Sequence, residues 1–275
     1  MGSARAGLGR ALALGMLHGP AELLPISSSG HVELVPWLLG WDGVSADPEV
    51  RKAFEVALHA GTAAALVVML RDEVIEAARN VSVDSAAVVA LSLLPPVLVG
   101  FALERPIERY LGRPGTIAAG LIVGGLALAI ADREQQQRSF DQAAPIDGLW
   151  LGIAQACALF PGVSRNGATL TAARLRRFTR VDAERLSRHV ALPVIGGATF
   201  LKCLRLWQRG LPEGSGATFA VGVIASFAST LGSTPLIEVV ERDRSLAPFA
   251  AYRVALGSLA LRRLSRLRRA GGPDR

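Results

Sequence analysis

The sequence predicts an all-α polytopic membrane protein, organised as two repeats that each carry a re-entrant helix–loop–helix hairpin beside transmembrane helices. Three observations predict it. Six segments, Ala53–Leu70, Ala86–Leu103, Gly115–Ala131, Val190–Leu206, Ala217–Val240 and Ala247–Leu261, are apolar on every helical face. Each is close to the span of about 20 residues that a membrane crossing needs, whereas a soluble helix would show only a stripe at every third or fourth position. Charges gather between these runs, at Arg71–Arg79, Asp132–Asp141, Arg174–Arg188 and Glu241–Arg244. Finally, two compact polar clusters, PAELLPISSSGHVELV at Pro20–Val35 and PGVSRNGAT at Pro161–Thr169, sit in otherwise apolar surroundings.

Taken in order, the first apolar run, Leu8–Leu24, contains His18, Pro20 and Glu22 and has no clean small-residue cleavage site, so it is expected to stay in the mature protein. Pro25 stops its helix, and the adjoining ISSSG offers no helical continuation. Irregular backbone at membrane depth is tolerated only when buried in protein or lining a wet cavity. Each cluster therefore reads as the tip of a hairpin, and the two tips are expected to meet near the middle of the protein. Gly15–His31 (GMLHGPAELLPISSSGH) matches Gly152–Ala168 (GIAQACALFPGVSRNGA), and Val56–Ala64 matches Val190–Ala198 in the same order. This places one repeat over residues 7–131 and a second over 144–257, joined by a polar linker at 132–143 within a single membrane domain of residues 1–275. The remaining 258–275 form a basic tail, RRLSRLRR at its centre.

The formal net charge is +7, nearly all of it arginine. In a membrane protein this fits cytoplasmic loops and anionic lipid better than nucleic acid, which is not expected as a partner. Cys157 and Cys203 are the only cysteines and make neither a disulfide framework nor a zinc site.

The clusters carry the chemistry. A helix puts His18 and Glu22 on one face. Ser27, Ser28 and Ser29 supply hydroxyls, Gly30 admits close approach of backbone, and His31 is a proton carrier near neutrality. In the second cluster Arg165 presents a planar fork suited to phosphate. Gly162 and Gly167 free the backbone around it, Thr169 adds a hydroxyl, and a helix beginning near Ala168 would aim its amides at an anion. Each central charge costs roughly 2.5–3.5 kcal/mol on insertion, so Glu22, His31 and Arg165 together point to a reaction site. The combination favours phosphoryl over acyl transfer.

Through AELLPISSSGH (Ala21–His31) and PGVSRNGAT (Pro161–Thr169) the chain resembles the undecaprenyl-diphosphate phosphatases, the bacitracin-resistance family of bacterial inner-membrane enzymes. Supporting matches are Phe54–Thr62, Gly120–Leu128 and Gly152–Gly162, and the resemblance runs from about Gly7 to about Gly257. It implies hydrolysis of undecaprenyl diphosphate to the monophosphate, which recycles the lipid carrier for wall polymers. It also implies inverted-topology repeats and a site facing the extracytoplasmic side. Its implied partners are a polyprenyl diphosphate lipid and the bilayer, with a homodimer left open. On the matching positions, Ser28 would be nucleophile or phosphate ligand, supported by Ser27 and Ser29, with His31 as general acid/base and Glu22 assisting metal or water. Arg165 would clamp the diphosphate, with Ser164, Asn166, Gly167 and Thr169 around it. The resemblance further implies a divalent cation, Mg2+ or Ca2+, with Glu22 and His18 as the metal-side residues. His18 stands where the family usually has glutamate or glutamine, and Asn166 where serine is common. The competing reading is a lipid or small-anion transporter, since inverted repeats with broken helices are also a transporter architecture.

Overall fold

A computed structural model describes residues 2–41, 44–45, 47–211, 214–241 and 245–270. The first half holds α1 (Gly2–Leu23), α2 (Ser28–Leu39), α3 (Pro48–Met69), α4 (Arg71–Arg79), α5 (Val83–Leu111) and α6 (Pro114–Ala131). A 3-10 turn, Phe140–Gln142, sits in the polar linker. The second half holds α7 (Pro145–Cys157), α8 (Arg165–Leu175), α9 (Arg180–Arg209), α10 (Gly216–Gly232), α11 (Pro235–Glu241) and α12 (Ala247–Arg269). Among the described residues there is no strand beyond an isolated bridge between Arg138 and Phe178.

Within α3, α5, α6 and α9 lie segments long and apolar enough to cross a membrane: Glu49–Met69, Val83–Leu103, Pro114–Ala131 and Arg180–Arg209. Their outer faces are bare of protein; Phe101 is 93% exposed, and Val123, Ile130 and Phe200 are exposed as well. Such surface is costly in water and at home in hydrocarbon. By contrast α2, α7 and α8, at 12, 13 and 11 residues, fall short of the ~30 Å hydrocarbon core at 1.5 Å per residue. The run expected as one span over Ala217–Val240 is in fact two helices, α10 and α11. Pro235 opens α11, and the residue before a proline is disfavoured in helical geometry, so the chain turns at Ser233–Thr234. α12 runs past the apolar stretch into the basic tail as far as Arg269; residues 271–275 of that tail, and Arg242–Arg244 of the last interhelical charge group, lie outside the described residues.

The two halves interlock. α1 packs chiefly on α10, and α7 chiefly on α5, so the first arm of each hairpin lies against a helix of the other half. α6 and α12, the last helices of the two halves, pack on each other. Corresponding glycines permit the close approaches: a Cβ on Gly15 would sit 2.6 Å from Ala225 Cβ, and one on Gly152 would sit 2.7 Å from Pro95 Cδ.

Two polar devices fix the arrangement. Arg253, on α12, is fully buried. Its Nη1 donates to the Pro25 carbonyl at 3.4 Å, and its Nη2 to the carbonyls of Gly162 at 3.3 Å and Val163 at 2.5 Å. One guanidinium thus holds the turns of both hairpins. At the linker, Asp132 succeeds α6 and accepts from Arg180 Nε at 2.7 Å, Ser245 Oγ at 2.7 Å and the Leu246 amide at 2.9 Å. Asp147, in the first turn of α7, is gripped by both ends of the Arg138 fork and by Arg176. Burial alone would raise the Asp132 carboxyl, but the bonds from Arg180, Ser245 and the Leu246 amide outweigh it and hold its pKa below the ordinary value.

Because the folded value lies below the ordinary one, the Asp132 contribution is complete above about pH 4 and is lost as pH falls through the folded value. Thermal unfolding in detergent should show this: Asp132→Asn lowers the midpoint at neutral pH, and the variant then loses less than wild type on acidification to about pH 3. Equal acid sensitivity in both would remove Asp132 as the titrating clamp. Arg253→Lys, which cannot reach three carbonyls with one planar fork, should destabilise by roughly 3 kcal/mol, given 1–3 kcal/mol per orphaned buried acceptor; an unchanged melting curve would contradict the clamp.

Candidate active site

The hairpin tips are built alike. Ser27 and Ser164 cap α2 and α8 from the left-handed region, with φ of 79° and 66°. That conformation costs a non-glycine residue about 1–3 kcal/mol. Each serine hydroxyl accepts the amide of the glycine three residues on, Gly30 at 3.3 Å and Gly167 at 3.2 Å. Each serine carbonyl accepts the next amide, His31 at 3.1 Å and Ala168 at 2.9 Å. The consequence is that Ser28 and Arg165 occupy the first position of α2 and α8. The second helix therefore begins three residues earlier than the expected start near Ala168, because Ser164 supplies the cap.

Glu22, in the last turn of α1, lies between these two starts. Its Oε2 accepts from Ser28 Oγ at 2.5 Å, and its Oε1 from Arg165 Nη2 at 2.8 Å. Three expected site residues from both hairpins thus share one hydrogen-bonded chain. The Glu22 and Arg165 side chains are 10% and 20% exposed, so the pair is screened from solvent without being sealed. An adjoining cleft is lined by charged groups, Glu22, Arg165, Glu184 and Arg188 among them, together with apolar residues that include Leu66, Leu192 and Ile195.

The other expected residues lie in separate surroundings. Gly30 is buried at the tip of the first hairpin and Ser29 is half-buried there; Ser27, Ser164 and Gly167 make the caps. Asn166 and Thr169 face α9: Asn166 Nδ2 donates to the Leu23 carbonyl at 3.0 Å and its Oδ1 accepts from Ser187 at 3.1 Å, while Thr169 Oγ1 lies 2.5 Å from Ser187 Oγ. These bonds tie α8 to α9 and to the end of α1. His31 is buried with both ring nitrogens engaged. Its Nδ1 lies 2.7 Å from the Ser27 carbonyl, which can only accept, so Nδ1 carries the proton and neutral Nε2 accepts from Tyr252 Oη at 2.7 Å. His18 is fully buried, with Nδ1 2.8 Å from Thr62 Oγ1 and its ring 4.6 Å from that of His59. Ligand atoms of His18, Glu22 and His59 lie within 4.8 Å of one another.

His59, Tyr252 and Arg253 are not singled out by sequence reasoning. Each is a polar or titratable group inside an apolar run, and for Arg253 the insertion cost is itself a signal.

The model of the family described as "Bacitracin resistance protein BacA" matches residues 11–259. The undecaprenyl-diphosphatase of Pelobacter propionicus is 40% identical over 261 residues, covering 90% of this chain and 93% of its own length. That of Geobacter metallireducens is 38% identical over 261 residues, with 90% and 95% covered. That of Thermomicrobium roseum is 36% identical over 274 residues, with 92% and 96% covered.

Asn166→Ala should lower the unfolding midpoint in detergent by a few degrees, since it strands the Leu23 carbonyl at about 1–3 kcal/mol and leaves the Ser187 hydroxyl with Thr169 alone. An unshifted midpoint would mean that the α8–α9 tie is not structural.

Proposed function

The chain belongs to the BacA bacitracin-resistance protein family, and we propose that the Ser28–Glu22–Arg165 site carries out its reaction, the hydrolysis of undecaprenyl diphosphate to undecaprenyl phosphate and inorganic phosphate. It is a multi-pass membrane hydrolase acting on the lipid carrier of wall synthesis. The observation that carries the residue assignment is the 2.5 Å contact from the Ser28 hydroxyl to a carboxylate that Arg165 also holds.

The prenyl tail lies along the apolar wall of Leu66, Leu192 and Ile195, and the diphosphate reaches the hairpin tips. There it meets the remaining donors of Arg165 and the first amides of α2 and α8, a favourable setting for an anion. Glu22 accepts the Ser28 proton as Oγ adds to the terminal phosphorus. The bond from that phosphorus to the bridging oxygen breaks, and undecaprenyl phosphate leaves. Water then cleaves the Ser28 phosphate ester, releasing inorganic phosphate and returning the proton to Oγ. Arg165 offsets charge on the transferring group throughout. His31, whose Nδ1–H is held by the Ser27 carbonyl, is proposed to take up a proton at Nε2 in place of its bond from Tyr252 and to pass it to the leaving side. The location proposed is the bacterial inner membrane, with the tips reached from the extracytoplasmic face.

The expectation of Mg2+ or Ca2+ at His18 and Glu22 does not fit the donors around them. Both ions take oxygen ligands, whereas this cluster offers two imidazoles and one carboxylate. Glu22 is the one oxygen donor of the three, and the roles proposed for Ser28, Glu22 and Arg165 draw on no ion at His18.

Phosphate release from undecaprenyl or farnesyl diphosphate by purified protein in detergent tests the assignment. Ser28→Ala and Arg165→Ala should each lower turnover by about 100-fold or more. Wild-type turnover in both would sink it, and lipid movement across vesicles without phosphate release would favour a transporter instead.

A further inference from the structure

We propose that His18, Glu22 and His59 form a binding site for a first-row transition-metal ion of the zinc type rather than for an alkaline-earth ion. The ligands come from α1 and α3. Their donor atoms lie within 4.8 Å of one another, so each would move inward by less than about an ångström to share an ion at roughly 2.0–2.2 Å.

Hydrogen bonds around the two rings bear on which nitrogens carry a free lone pair. His59 Nδ1 lies 2.9 Å from the Glu55 carbonyl, an acceptor only, so the proton sits on Nδ1 and Nε2 carries the lone pair. For His18 the assignment rests on a longer chain. Ser226 Oγ donates to the Leu58 carbonyl at 2.6 Å, which leaves its oxygen to accept the Thr62 hydroxyl proton at 3.3 Å. Thr62 Oγ1 in turn accepts from His18 Nδ1–H at 2.8 Å. In that arrangement His18 Nε2 carries the lone pair, and in either tautomer it is buried with no hydrogen-bond partner. A histidine that ligates a metal characteristically donates its other ring N–H to a fixed oxygen, which sets the tautomer. Both histidines do so here. The edge-to-face contact of the rings, 4.6 Å between centroids, explains their proximity but leaves that buried lone pair unmatched.

Two imidazoles and a carboxylate are the ligand set of open zinc sites and of other first-row ions. Close packing brings them together: Gly15 on α1 and Gly61 on α3 both face α10, where a Cβ would collide with Ala225 and with Ser226.

The inference deepens the phosphatase reading, since Glu22 belongs to both, but its test uses no substrate. Protein carrying Cys157→Ser and Cys203→Ser, to remove thiol ligands, is stripped with chelator in detergent and titrated with Co2+. We expect one Co2+ per chain with visible absorption of nitrogen–oxygen coordination, displaced by Zn2+ and not by millimolar Mg2+ or Ca2+. His18→Ala and His59→Gln should weaken binding by about 100-fold or more, and Thr62→Val, which spares all three ligands, by about 10-fold or more. Absence of stoichiometric Co2+, displacement by Mg2+, or unchanged affinity in a His59→Gln protein that elutes as wild type would overturn the site. Phosphate release by protein that binds no Co2+ or Zn2+ would leave hydrolysis standing and remove the metal, whereas stoichiometric metal without release would do the reverse.

Discussion

A single buried guanidinium underlies the arrangement of this molecule. Arg253 meets three main-chain carbonyls from two hairpins. Carbonyls in an apolar interior need donors as much as charges need partners. The turns at Pro25 and at Gly162–Val163 expose such carbonyls because Ser27 and Ser164 leave helical geometry to cap α2 and α8. Arg253 answers both needs at once: it satisfies the turns and fixes their separation. Gly167 leaves room for it, since a Cβ there would collide with the guanidinium. The site's spacing, Glu22 against Ser28 and Arg165, depends on that separation.

Glu22 is the second shared element. On one side it binds Ser28 and Arg165, and on the other it approaches His18 and His59. A carboxylate oxygen has lone pairs for more than one partner, so the same group can orient the serine and join a cation site. Any ligand bound on one side alters the field felt on the other, and the coupling must be reciprocal.

The membrane class and both hairpin tips were legible because apolar runs and polar interruptions are one-dimensional signals. Glu22 and Arg165 stand out for the same reason, each a costly group beside a helix break, whereas Ser28 is singled out from Ser27 and Ser29 only by the resemblance to the phosphatase family. The features hidden from the sequence depend on packing between distant helices. Nothing near Asn166 announces that Ser187 and the Leu23 carbonyl will take up its amide. The role of His59 appears only when α1 and α3 lie together on α10. Tyr252 and Arg253 sit in a run that otherwise reads as plain span, and their work is defined by loops far away in the chain. The division of Ala217–Val240 was available from Pro235, whose restriction on Thr234 was outweighed by the surrounding hydropathy.

The exchange of partners between halves bears on how the protein is made. α1 leaves the ribosome long before α10, its main neighbour, and α5 precedes α7. The first hairpin therefore enters the bilayer before its main neighbour exists, with only the smaller packing of α1 on α3 and of α2 on α6 available within its own half. Arg253 arrives almost last. Catalytic competence is thus a late event in biogenesis, and a chain truncated before α12 would contain every reactive group without the order that makes them a site.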